Sequence, residues 1–248
     1  MDTLVIPASG AEPRRAAGRS AHRLFYVSVA LAMTAMVVIG FWPSYFGPVA
    51  RGTYAGSWVF HLHGLVFMGW MGLLVAQVAL VAAGRTRMHR RVGTAGIAYG
   101  VLVLIVGLGV SFYSPVMHIA NRTWTVDQAA AFLLLPLGDM ALFGGFFGAA
   151  IRYRRQPEIH KRLMLLATIA LAFAAVFRRV PADQPATFLA IWLAPLAAAM
   201  AYDWRTRGRV HPTYVIGLVV CLVAFARVFA MNRDAWLSIG RALLASAA

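Results

Sequence analysis

Residues 57–91 read SWVFHLHGLVFMGWMGLLVAQVALVAAGRTRMHRR. Up to Ala83 the stretch holds no Arg, Lys, Asp or Glu, and then Arg85, Arg87, Arg90 and Arg91 follow in quick succession. About 20 apolar residues cross a bilayer as a helix, so this is one membrane-spanning helix delivered into a basic segment. The same pattern recurs along the chain. Apolar segments at 24–42, 57–83, 94–113, 128–151, 163–180, 185–203 and 213–231 predict seven spans, with Pro181, Asp183 and Pro185 dividing the fifth from the sixth. Composition agrees: 61% of residues are hydrophobic and 12% charged, and the mean hydropathy is +0.72. Soluble domains carry about a quarter charged residues. The fold class is therefore all-α, a polytopic transmembrane helical bundle.

The basic residues give it a direction. Arg14, Arg15, Arg19 and Arg23 form one set, Arg85 to Arg91 a second, Arg152, Arg154, Arg155, Lys161 and Arg162 a third, and Arg205, Arg207 and Arg209 a fourth; together they hold 16 of the 23 basic residues. The alternate segments, with Arg227 inside the last span, hold Arg51, Arg122, Arg178, Arg179, Arg227, Arg233 and Arg241. The positive-inside rule then places the N-terminus in the cytoplasm. A net charge of +15 in a soluble chain points to nucleic acid. Confined to short loops, it serves topology and contact with anionic headgroups at the cytoplasmic face, and nucleic acid is not an expected partner. Trp42, Tyr45, Trp58, Trp124, Tyr153, Trp204 and Tyr214 fall near span ends, where amphipathic rings favour the interface.

The expected divisions are a basic cytoplasmic tail at 1–22, a seven-helix transmembrane domain at 23–231 and a short interfacial tail at 232–248. The first segment lacks the apolar centre of a signal sequence. The last is amphipathic, with Trp236, Leu237, Ile239, Leu243 and Leu244, and lies along the outer interface. The single cysteine, Cys221, is mid-span, so no intrachain disulfide forms. Two basic loops end in similar triplets, His89-Arg90-Arg91 and His160-Lys161-Arg162, and a third ends in His211-Pro212, which suggests stacked helical hairpins. Gly96-x-x-x-Gly100 and Gly144-x-x-x-Gly148 are spaced for close helix approach.

Several chemistries are excluded. Retinal needs a lysine in the last span, and the one lysine is Lys161. Histidine boxes of the HxxxH and HxxHH kind, the GxxxxGK phosphate loop and the GxSxG elbow are absent. What remains are histidines and intramembrane charges. His61 and His63 open the second span about 200° apart on the helix. His63, Trp70 and Gln77 share a stripe facing the bundle interior. His118 lies in the next outer loop at similar depth. These three histidines form a candidate outer site for haem b or a divalent metal, imidazole being a common ligand of both. His89 and His160 form an inner candidate pair, although b-type electron carriers place their histidines inside helices and these stand at helix starts among arginines. Asp139 sits near the middle of the fourth span, where a carboxylate costs about 2.5–3.5 kcal/mol. It points to a proton relay, a cation site or a counter-ion, with Gln77 and Arg227 as partners. Arg178 and Arg179 close the fifth span and snorkel outward.

The stretch from His61 to Gly93, with its H-x-H-G opening, its Trp and Gln, and its H-R-R-x-G end, resembles a set of bacterial multi-pass membrane proteins without an assigned mechanism. HKRLMLLAT, His160 to Thr168, resembles that set's second motif. The resemblance spans the second to fifth helices and implies a multi-pass protein of the bacterial inner membrane. By helix count and histidine placement the chain is also similar to cytochrome b-type bundles, a fold-level likeness. Three functions stay open: a haem- or metal-binding protein assisting electron transfer, a small-solute or ion transporter centred on Asp139, Gln77 and Arg227, and a non-catalytic membrane scaffold.

Overall fold

The computed structural model describes residues 11–181 and 183–246, with side chains from residue 24 onward. Among the described residues there is no strand, and seven helical spans are long and apolar enough to cross a membrane: Leu24–Ala50, Trp58–Ala82, Thr86–Ala120, Val126–Arg152, Pro157–Phe177, Pro185–Arg207 and Pro212–Ala230. The chain is a multi-pass membrane protein, an all-helical bundle.

Helix α1, Ala11–Phe41, begins inside the segment expected to be a tail; residues 1–10 of that segment lie outside the described residues, as do 247 and 248 of the last one. α1 passes through one π-helical turn, Trp42–Phe46, into the short α2, Gly47–Ala50. α3, Trp58–Ala82, starts where Ser57 Oγ accepts from the Val59 N–H (3.3 Å). It closes at Gly84, whose left-handed φ of +73° lets the Arg85 N–H return to the Leu80 carbonyl (2.8 Å). α4, Thr86–Ala120, then begins at once. Arg87, His89, Arg90 and Arg91 therefore lie in its first two turns and not in a loop. At the far end it runs through Pro115 and carries His118 in its last turn, which corrects the loop position expected for that histidine. Hydropathy marked only 94–113 because it detects hydrocarbon crossing. A helix of 35 residues is about 52 Å long and outruns a core of about 30 Å.

Reciprocal bonds between Thr125 and Gln128 (2.9 and 3.2 Å) open α5, Val126–Arg152. Proline at the first position opens α6, Pro157–Phe177, α7, Pro185–Arg207, and α8, Pro212–Phe225. A break at Ala226 separates α8 from α9, Arg227–Ala230. α10, Asp234–Ala245, is about 18 Å long, too short to cross. It packs on the start of α5: Trp236 Nε1 donates to the Ala130 carbonyl (2.7 Å), Leu244 is buried with Ala129 and Leu133, and Arg241 Nε pairs with Asp127 (2.6 Å).

α6 is the axis of the bundle, with 72% of its apolar window buried against 22% for α3. Its small residues explain why: Ala167, Ala170, Ala172 and Ala175 are fully buried and let neighbours approach closely. At Gly40 of α1 a β-carbon would stand 2.5 Å from the Ala175 carbonyl, so only glycine fits that crossing. The two expected small-residue pairs act less symmetrically. Gly100 receives the Phe147 ring and Gly144 meets Leu104, whereas nothing lies within 4 Å of a β-carbon at Gly148. Side chains from the partner helix, not its backbone, fill the space.

The ends of α3, α5 and α7 share one end of the bundle with Arg162, the centre of an ion cluster. Arg162 is fully buried. Its Nε and Nη2 fork onto Asp203 (2.9 and 2.5 Å), and Nη1 donates to the Glu158 carbonyl (2.6 Å) and carboxylate (2.8 Å). Arg207 also pairs with Glu158. The guanidinium lies over Tyr214, 5.2 Å from its ring centre, and this tyrosine, near the start of α8, is fully buried. Arg91, the counterpart of Arg162 in the similar triplet, is exposed.

His211 joins this cluster through its N–H to Asp203 (3.3 Å), and its neutral Nδ1 caps α8 by accepting from the Thr213 N–H (3.2 Å). Burial, and next the charge of Arg162, hold its pKa below the ordinary imidazole value. The unfolded chain then binds the proton more readily. The His211 contribution to stability is complete above about pH 6.5 and declines as pH falls toward the folded value. His211→Asn supplies a cap that does not titrate. Thermal unfolding in detergent from about pH 8 down to about pH 5 is expected to show a shallower acid loss in this variant than in the wild type.

Candidate functional site

A cavity of about 300 Å³ lies between α1, α3, α4, α5 and α6, at the small end of the range of ligand sites. It runs from the level of Tyr54 and Arg178, at the opposite end from the Arg162 cluster, down to Asp139. His63, His118, Asp139 and Arg178 are its ionisable side chains other than tyrosine; Phe67, Met140 and Leu171 are among its apolar walls.

Asp139 forms the floor. It is buried and pairs with Arg227 across the bundle. The break at Ala226 brings Arg227 to this depth, with Nη1 donating to the Ala224 carbonyl (3.0 Å) and the guanidinium 4.1 Å from the Phe173 ring centre. Gly138 makes the room, since a β-carbon there would stand 2.6 Å from Arg227 Cδ. Gln77, the other expected partner of Asp139, is elsewhere. About four turns below His63, it reaches the opposite end of α3 and belongs to a second site.

His63 lines the cavity, and its Nδ1 is buried without a hydrogen-bond partner. His61 turns away: its Nδ1 shares a 2.9 Å hydrogen bond with Tyr45 OH, and it packs edge-on against Tyr54. His118 stacks on Trp124 with ring centres 4.0 Å apart. The Thr123 hydroxyl donates to the His118 carbonyl (3.0 Å), so its oxygen accepts from His118 Nδ1 (2.7 Å), and neutral His118 keeps an unprotonated Nε2. Among the described residues no group of three or more His, Cys, Asp or Glu side chains gathers as a metal site. The expected set His61, His63 and His118 thus contributes two residues to the cavity and not three.

Arg178 does not snorkel away from the protein. It lines the cavity, with its guanidinium 4.6 Å from the Phe41 ring centre and a long bond to the Ala174 carbonyl (3.4 Å). Arg178 is exposed, and no carboxylate among the described residues pairs with it. The sequence signal for this role was weak: Arg178 sits beside the apolar face of α6, but so does Arg179.

The second site is a cavity of about 60 Å³ lined by Trp70, Gln77, Gly93, Phe147 and His160, among others. The Gln77 amide accepts from the Gly93 N–H (2.9 Å) and donates to His89 Nδ1 (2.5 Å) and to the His89 carbonyl (3.2 Å). His160 Nδ1 donates to the Ala150 carbonyl (2.8 Å). In the inner pair the two Nδ1 atoms therefore have opposite roles, an acceptor in His89 and a donor in His160. The space admits a few waters and not a porphyrin. Trp70, Phe143 and Phe147 close the way between the two cavities with ring centres 5.1 to 5.6 Å apart, and Trp70 Nε1 is fixed on Thr168 Oγ1 (3.2 Å).

No family model, curated protein or solved structure matches this chain.

Proposed function

We propose that the protein is a small-solute binding protein of the bacterial inner membrane, a carrier held with access from one side, whose site is the His63 cavity. The observation that carries this reading is the Asp139–Arg227 pair at the floor of a cavity with polar groups above it and an aromatic layer beyond it. An ion pair at mid-membrane is costly to keep and marks a solute path. The arginine-rich end faces the cytoplasm by the positive-inside rule and meets anionic headgroups there.

A ligand that fills the cavity stabilises the folded protein by mass action. A panel of small acids, amines and neutral solutes screened by thermal unfolding in detergent is expected to contain stabilisers. Ser114 lines the cavity, and Ser114→Trp is expected to abolish their effect by filling it. Stabilisation that survives in Ser114→Trp places the site elsewhere and defeats the reading.

A second reading is favoured by the unpartnered Nδ1 of His63 and the free Nε2 of His118 on one cavity. These two residues would hold a haem b, which would supply one-electron chemistry when bound. A reduced-minus-oxidised absorbance spectrum of protein from haem-replete cells decides it. A b-type signal that is lost in His63→Ala supports haem; a colourless protein removes this reading and leaves the carrier.

A further inference from the structure

Resting on the cavity as the binding site, we infer that its ligand is an amphiphilic anion, an apolar body ending in a carboxylate or phosphate, and that Arg178 selects it by charge. The accounting of charge around the cavity leads there. Its one carboxyl and its one guanidinium, Asp139 and Arg178, are not equivalent. Asp139 is already matched by Arg227, so a cationic ligand has to displace an arginine. Arg178 has no acidic partner among the described residues; the Phe41 ring and one long carbonyl bond are its contacts. A guanidinium has five N–H donors, and most of these are unspent. A neutral ligand leaves those donors without an anion, whereas a carboxylate or phosphate completes a charge-assisted fork.

The rest of the cavity fits the remainder of such a molecule. Beneath Arg178 the walls are Phe67, Met140 and Leu171, which take an aliphatic or aromatic body. His63 Nδ1, unpartnered, and the hydroxyl of Ser44 add polar contacts without adding a fixed charge. The anion has two sources, a free amphiphilic acid or the headgroup of an anionic lipid, and the two are separable by experiment.

The test is equilibrium binding of radiolabelled octanoate and its neutral methyl ester to the full chain in phosphatidylcholine nanodiscs, with empty nanodiscs as blank. Octanoate is expected to bind saturably and at least about tenfold more tightly than the ester. Arg178→Gln is expected to erase that preference while the ester binds as before, and Arg178→Lys to restore part of it. Displacement of octanoate by phosphatidylglycerol in the disc supports a lipid source; binding undisturbed by it supports a free acid. Equal binding of acid and ester to the wild type, or an Arg178→Gln variant with unchanged preference, overturns the assignment of charge and leaves the cavity standing. Should neither probe bind and no solute stabilise the wild type, the cavity reading fails and this inference with it.

Discussion

Replacing Arg162 by Met is expected to destabilise the protein by about 3–5 kcal/mol, the usual result of removing one partner of a buried ion pair. The arginine is fully buried and Asp203 is 1% exposed. Without the guanidinium, Asp203 keeps the His211 N–H and a distant Arg207 Nε at 3.8 Å, too little to hold a carboxylate out of water. Lysine is not a remedy: it offers a point charge in place of a fork that reaches Asp203 and Glu158 together. Arg91→Met is the control. It alters the same place in the similar triplet, is exposed, and is expected to stay within about 0.5 kcal/mol of the wild type. Denaturant unfolding in mixed micelles compares the two. A small effect at Arg162 would mean that the ion cluster contributes nothing net, its attraction cancelled by desolvation.

The second large effect lies at the cavity floor. Arg227→Met leaves Asp139 buried with no cation, and a loss of about 3–5 kcal/mol is expected there too. Here the pair can be removed as a unit. The double variant Asp139→Leu, Arg227→Met replaces both charges with apolar groups and is expected to recover most of that loss, as coupled neighbours do in a double-mutant cycle. Gly138→Ala should behave as a weaker Arg227 variant, because its β-carbon occupies the path of the arginine. Thermal unfolding of the four proteins checks the order. A double variant no more stable than Arg227→Met would show that the arginine acts through its packing on Phe173 and not through charge.

Much of the architecture was legible because the membrane writes it along one dimension. Twenty or so apolar residues between polar punctuation make a span whatever the neighbours do, and Pro185 marks the start of α7 correctly. Helix ends were less legible: α4 begins among arginines that hydropathy assigns to a loop. Asp139 announced itself as a lone carboxylate in hydrocarbon, and Arg227 followed as the nearest available cation in another span. Gln77 misled because its stripe on α3 was right while its depth was not. Arg162 and Arg178 were missed for one shared reason. On paper they are ordinary loop-end arginines like Arg91 and Arg179. What sets them apart is the partner each meets, Asp203 for the first and Phe41 for the second, and contacts between helices leave no mark on a single sequence.

The Arg162 cluster ties α6, α7 and the start of α8 at one end, and Phe25 of α1 stacks on Tyr202 of α7 at the same level, with ring centres 4.0 Å apart. The cavity occupies the other end. Helices pinned at one tip behave as levers: a tilt of one degree about the pin moves the far tip by roughly 0.5 Å across a core of about 30 Å. The fulcrum is thus built from charge and the free tips surround the empty space, so the same few degrees of rocking that barely disturb Arg162 are enough to change the width of the cavity.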